Sequence, residues 1–171
     1  MKKVSPLLVL VSIISIYSCS IEEAPSINSE YILGTWVGED LDYSGSTVTE
    51  ISGQTVTADF VGEAYDLDFT LTFSENPKEI STSGSYSVEL TTTIEGQVSV
   101  TNVENIQFLN DGTWTKSGDE VTIIYNGRTS VFRIIELTED SLILSLPTVE
   151  DLSQGGAIIT TTIDMTITFS K

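Results

Sequence analysis

Beyond residue 30, apolar and polar positions alternate with a period of two, the spacing that sends successive side chains to opposite faces of a β-strand. In Tyr65–Phe73, YDLDFTLTF, residues Tyr65, Leu67, Phe69, Leu71 and Phe73 share one face, and Asp66, Asp68, Thr70 and Thr72 share the other. Ala157–Phe169 repeats this over 13 residues. Ala157, Ile159, Ile163, Met165, Ile167 and Phe169 oppose Thr160, Thr162, Asp164, Thr166 and Thr168, with Thr161 and Ile158 as exceptions. In Ser85–Ile94, residues Tyr86, Val88, Leu90 and Ile94 fall together. No useful length of helical periodicity interrupts these runs. The 23 threonines suit strands that are wet on one face.

The punctuation between runs is turn chemistry. Asn126-Gly127 predicts a tight hairpin between VTIIY and RTSVFRII, because both central residues of such a turn need positive φ. Asn110-Asp111-Gly112, Ser117-Gly118-Asp119, Thr138–Ser141 and Asn76-Pro77 mark further reversals. Connections this short force antiparallel neighbours. A long one-sided meander must close or fold over to hide its edges. The expected fold is all-β, an antiparallel up-and-down β-barrel of eight to ten strands.

The first 30 residues differ in kind. Lys2 and Lys3 precede an apolar stretch from Val4 to Ile16. That stretch falls short of the roughly 20 residues needed to span a bilayer, and it ends on small residues, as a secretory signal does. Ile16-Tyr17-Ser18-Cys19 resembles the lipobox of bacterial lipoproteins. The resemblance implies cleavage before Cys19 and acylation of its thiol with a diacylglycerol. Two or three acyl chains make a stable anchor where one holds only marginally. The expected organisation is a signal peptide at 1–18, a lipidated Cys19 and tether at 19–30, and the barrel domain at 31–171. Glu22 and Glu23 resemble the acidic export signal of some surface lipoproteins, so the expected address is the cell outer membrane, lipid-anchored.

Composition narrows the chemistry. The chain has 171 residues and no histidine, which removes Ser-His-Asp triads and imidazole metal sites. Its single cysteine precludes an internal disulfide and any multi-cysteine metal site. Seven basic residues stand against 25 acidic ones, a net charge of -18, which excludes a nucleic-acid partner. Cleavage before Cys19 removes two lysines and no acid, so the mature chain would carry -20. Such a domain stands off an anionic membrane surface.

Ile32-Leu33-Gly34-Thr35-Trp36 is similar to the Gly-x-Trp start of lipocalins and bacterial lipocalin-like domains. Phe108–Ile123 and Phe132–Leu146 resemble the second half of small lipocalin-like bacterial lipoproteins. A Thr-Asp-Tyr second motif and a C-terminal helix are missing, which favours the looser lipocalin-like group. The resemblance implies that Gly34 and Trp36 form a barrel-end motif, with the tryptophan packed against a basic side chain, either Arg133 or Lys171.

An eight-stranded barrel is just wide enough to be filled by side chains or to hold one small ligand. Phe69, Tyr86, Trp114, Tyr125 and Met165 are the candidates for lining a pocket that would take a small hydrophobic molecule, with Tyr86 and Tyr125 orienting it by hydroxyl bonds. The protein would then be a ligand binder or an accessory subunit, without catalysis and without a cofactor. The alternative is a filled barrel acting as a glycan- or protein-interaction module, with Trp114 as a surface platform and Thr91–Thr93 and Thr160–Thr162 as hydroxyl arrays. A third option uses the acids near Glu39, Asp40 and Asp42, or Asp59, Glu63, Asp66 and Asp68, as a carboxylate hydrolase or a calcium site. Alternation turns Asp66 and Asp68 toward solvent, which favours a plain acidic surface.

Overall fold

The computed structural model describes residues 29–171; the expected signal peptide, Cys19 and the expected tether up to residue 28 lie outside the described residues. A 3-10 turn at Ser29–Ile32 leads into nine strands: β1 (Gly34–Ile51), β2 (Gln54–Phe73), β3 (Glu79–Ile94), β4 (Gln97–Ile106), β5 (Gly112–Ser117), β6 (Glu120–Tyr125), β7 (Arg128–Leu137), β8 (Ser141–Gln154) and β9 (Ala157–Ser170). All ladders are antiparallel. The order β2-β1-β9-β8-β7-β6-β5-β3 is closed by a β2–β3 ladder, which makes a barrel. Alternation forms these strands, and the Asn126-Gly127 turn has the two positive φ angles it requires, 49° and 75°.

One expected reversal is a detour instead. Glu79–Thr113, Ile80–Gly112 and Tyr86–Ile106 pair in a single register along β3. β4 and β5 are therefore two halves of one descending path, and Asn110-Asp111-Gly112 does not turn the chain back. Residues 107–111 leave the ladder and are stitched to β3 through Thr82. Its N–H donates to Asp111 Oδ1 at 2.8 Å and its hydroxyl to the Leu109 carbonyl at 2.9 Å. The detour carries Phe108 and Leu109 into the core. Asn, Asp and Gly favour any sharp local bend, so they mark a bulged strand as readily as a hairpin. The barrel thus has eight strand paths in up-and-down order.

A second correction concerns Tyr65. A bulge at Asp66 (φ 50°) shifts the β2–β3 register: Ala64 pairs with Val88 and Tyr65 with Ser87, while Phe69 pairs with Gly84. Val88 is buried, so Ala64 takes the inner position and Tyr65 leaves the face that alternation assigned to it.

The core gathers at the end where the chain enters. Phe69 stands at its centre, with ring centroids 5.0 Å from Phe108 and 5.8 Å from both Tyr86 and Phe169. Trp36, Leu71, Phe132, Leu144 and Ile167 are fully buried around it. Each such side chain contributes about 1.5–3 kcal/mol by leaving water. Gly38 lies beneath the Phe69 ring, and a Cβ there would collide with it. Above this base the wall is uneven. β5 and β6 have six residues each, whereas β1–β2, β3–β4 and β8–β9 run on to the turns after Ile51, Ile94 and Gln154.

Candidate functional site at the barrel mouth

The site arises where two strands stop pairing. β7 and β8 pair from Leu137–Leu142 to Arg133–Ser145 and no further. The same register, continued, would set Phe132, Ser130 and Arg128 opposite Leu146, Thr148 and Glu150. Pro147 supplies the reason it does not continue. Proline has no N–H to donate to a β7 neighbour, and in sheets it is confined to edges and bulges. β8 still runs through Pro147 to Gln154, held on its other side by β9.

The strands part to leave a cleft of about 810 Å³. Tyr125, Arg128, Thr129, Ser130 and Val131 line one wall, and Leu146, Pro147, Thr148, Val149 and Glu150 the other, with Ile163 of β9 beneath. Ile123 and Phe132 are fully buried, so the residues in step with them on the β6–β7 hairpin, Tyr125, Arg128 and Ser130, face inward at the rim. The Ser130 hydroxyl donates to the Tyr125 oxygen at 3.5 Å. Leu146, Ile163 and Tyr125 are half-buried and supply the apolar surface.

The five pocket candidates from the sequence separate by height. Tyr125 lines the cleft. Met165 is half-buried just below it, opposite both Tyr43 and Leu146. Phe69 and Tyr86 are packed in the base, 2% and 6% exposed; Trp114, 3% exposed, is packed there too and borders a separate hollow with Leu33, Lys78 and Lys116. Burial, and then the neighbouring Tyr43, push the Tyr86 hydroxyl pKa above its ordinary value; burial alone does so for Tyr43. Trp114 donates from Nε1 to the Ser74 carbonyl at 2.8 Å and meets Phe73 edge-on, so it offers no sugar platform. Arg128, Thr148 and Glu150 were not singled out from the sequence. The available signal was Pro147 inside the alternating run LSLPTVEDL, which marks an edge strand and a break in pairing.

At the closed end, the Trp36 ring is fully buried and its Nε1 donates to the Ile32 carbonyl at 2.8 Å. Lys171 Nζ lies 4.3 Å from the ring centroid and donates to the Tyr31 carbonyl at 2.8 Å. Lys171 therefore fills the basic position, while Arg133 bonds Asp119 at 3.0 Å. Gly34, at φ 111°, takes a conformation that other residues avoid.

The acids lie elsewhere. Asp42 and Glu63 oppose each other across β1 and β2 on the outer face. Partial desolvation, then the charges of Asp40 and Glu63, raise the Asp42 pKa. Both side chains are exposed, whereas a catalytic carboxylic acid is held protonated in a dry pocket. Among the described residues no group of three His, Cys, Asp or Glu side chains is placed to hold a metal ion.

Comparison with known proteins places these observations in context. The model of a family described as a lipocalin-like domain matches residues 32–144. Among solved structures, bovine odorant binding protein in complex with undecanal is similar at 17% identity, over 88% of this chain and 76% of that one, with a TM-score of 0.33. No curated protein matches the chain.

Proposed function

Since the chain belongs to the lipocalin-like domain family, we propose that it is a cell-envelope lipoprotein that binds a small hydrophobic ligand, without catalysis, at the mouth of its barrel. The observation that carries this reading is the division of the interior. The base is occupied by the Phe69 ring cluster, and the room that remains is the cleft above it. Its volume falls within the roughly 300–1,000 Å³ of small-molecule sites. Its walls are mostly polar, from Tyr125, Arg128, Thr129, Ser130, Thr148 and Glu150, with apolar surface supplied by Leu146 and Ile163.

Anchoring through Cys19 to the outer membrane completes the proposal. It rests on the lipobox-like Ile16–Cys19 and on the solitary cysteine. Fractionation of cells expressing Cys19→Ser tests it: the variant should leave the membrane fraction, and unchanged membrane retention refutes the anchor.

The binding claim is tested on the full chain carrying Cys19→Ser, by native mass spectrometry for a retained guest and by titration with the neutral probe Nile red. Saturable one-to-one binding is expected, and Thr148→Trp should weaken it by obstructing the cleft. No binding, or binding indifferent to Thr148→Trp, refutes the reading.

A second reading, an interaction module, is favoured by one feature. Among the described residues β4 pairs with β3 alone, which leaves its outer edge open, and Val98 and Val100 on it are 66% and 57% exposed. Such an edge can accept a partner strand. Loss of that partner on Val98→Lys, with probe binding intact, would support this second function.

A further inference from the structure

We infer that the mouth ligand carries an anionic head group, and that Arg128 is the residue that receives it. This rests on the mouth-binding reading and narrows it to a ligand class, an anionic amphiphile with one aliphatic tail.

The argument begins with the scarcity of cations. Among the described residues there are five Lys and Arg side chains. Four are engaged locally. Lys78 pairs with Glu75 at 3.4 Å, Lys116 donates to the Gly118 carbonyl at 2.7 Å, Arg133 pairs with Asp119 at 3.0 Å, and Lys171 caps Trp36 and the Tyr31 carbonyl. The Arg128 guanidinium makes no hydrogen bond or ion pair with any described residue. In a chain with 25 acids and seven cations, a guanidinium without a carboxylate partner is unexpected.

Its place in the fold explains the vacancy. Continued β7–β8 pairing would bring Arg128 opposite Glu150, and the parting of the strands keeps the two from forming an ion pair. The guanidinium instead stands at the rim of the cleft, on the inward-facing side of the hairpin. It presents a planar fork of donors that matches a carboxylate, phosphate or sulfate. Tyr125 adds to it: its oxygen accepts from Ser130, which leaves its own proton to donate. Leu146 and Ile163 lie deeper on the same cleft and suit a tail. Glu150, on the facing wall, repels an anion and so confines the head to the β7 side.

The test compares decanoate with decanol, the same tail with and without charge, by displacement of Nile red from the full chain carrying Cys19→Ser at neutral pH. Decanoate is expected to bind more tightly by about five-fold, the upper range for one solvent-open ion contact. Arg128→Gln should erase that preference, so that decanoate and decanol displace the probe equally well. Arg128→Lys should retain part of it, and Glu150→Gln should enlarge it. Acetate, a head without a tail, should displace nothing; displacement by acetate would refute the amphiphile assignment. Equal binding of decanoate and decanol to the parent, or a preference that survives Arg128→Gln, overturns the head-group assignment while mouth binding stands. Failure of both ligands and of Nile red overturns mouth binding itself. Arg128 is exposed and unpartnered, so circular dichroism should show its variants folded as the parent is.

Discussion

Replacing Phe69 with Ala separates the two halves of the barrel. Phe69 is 2% exposed, and its ring contacts Tyr86, Phe108 and Phe169 while covering Gly38. Truncating a buried Phe to Ala costs about 3–5 kcal/mol, from lost transfer energy and from the void left behind. Three aromatic contacts of this geometry keep the site away from the lower end, since each adds about 0.5–1.5 kcal/mol beyond its buried area. Gly38 is held by its pairing with Phe169 on β9 but lies in the irregular stretch of the β1–β2 ladder between Val37 and Asp42. Set against a typical domain stability of about 5–15 kcal/mol, a loss near 4 kcal/mol leaves a folded but weakened protein. In a chain of this length that corresponds to a melting temperature lower by about 8–16 °C. Thermal and urea unfolding measure the loss, and Nile red titration below the transition measures the cleft. Probe affinity should stay within about two-fold, because Phe69 contributes nothing to the mouth. A loss of stability under about 1 kcal/mol, or a large change in probe affinity at unchanged stability, would show that the interior near Phe69 is a binding cavity and that the filled base is wrong.

Other perturbations probe other parts. The pKa of Asp42 is raised in the fold, so its charged form is disfavoured there; stability is lost as pH rises from the ordinary carboxylate range through the raised value. Asp42→Asn should therefore unfold at a higher temperature than the parent at pH 7, and the gain should vanish once both forms of the parent are protonated in acid. An equal advantage at all pH values would refute the electrostatic cause. Lys171→Met removes the cation above Trp36 and the bond to Tyr31. An exposed contact of this kind is worth about 0.5–1 kcal/mol, which calorimetry should register as a fall of about 1–4 °C. Pro147→Thr restores the missing N–H on β8, so hydrogen exchange at residues 129–131 should slow and Nile red binding should weaken as the cleft narrows; unchanged exchange would show that proline does not hold the strands apart.

Strand identity and facing were legible because alternation is a local property. The inward residues of β9 and the upper part of β3 follow from parity alone. Height along the barrel is not local. Phe69, Trp114 and Tyr125 all read as inward, yet the first two fill the base and the third reaches the mouth, because the level of each depends on which strands stop short. The choice between Arg133 and Lys171 was likewise open, since it turns on the last residue folding back over Trp36. Arg128 and Glu150 were hidden for a related reason. A charged residue beside a turn reads as solvated, and only the missing rungs between β7 and β8 give it a role. The Asn110–Gly112 detour misled because its residues specify a bend without specifying its sense.

The tall wall above the base must hold its shape with little core behind it, and its sequence shows how. On the inner face Tyr43 lies over Gly62 and Phe60 over Gly45, the two glycines being their direct partners across β1 and β2. The rings meet edge-on at 6.3 Å. An aromatic laid over a cross-strand glycine restores packing that the missing side chain forfeits, and it lets the sheet stay paired without a second layer. Thr47 and Thr161 bond across β1 and β9 at 3.1 Å, and Thr160 donates to Asp151 across β8 and β9 at 2.7 Å. The wall is thus stabilised by pairwise contacts within itself, and the base by the ring cluster. Residues at the rim, Arg128, Thr148 and Glu150 among them, then carry little of the folding free energy. The same independence leaves the β4 edge exposed, with no charged residue from Gln97 to Val103. What opposes stacking of such edges is the charge of the whole molecule, since two copies at -18 repel before their strands can meet.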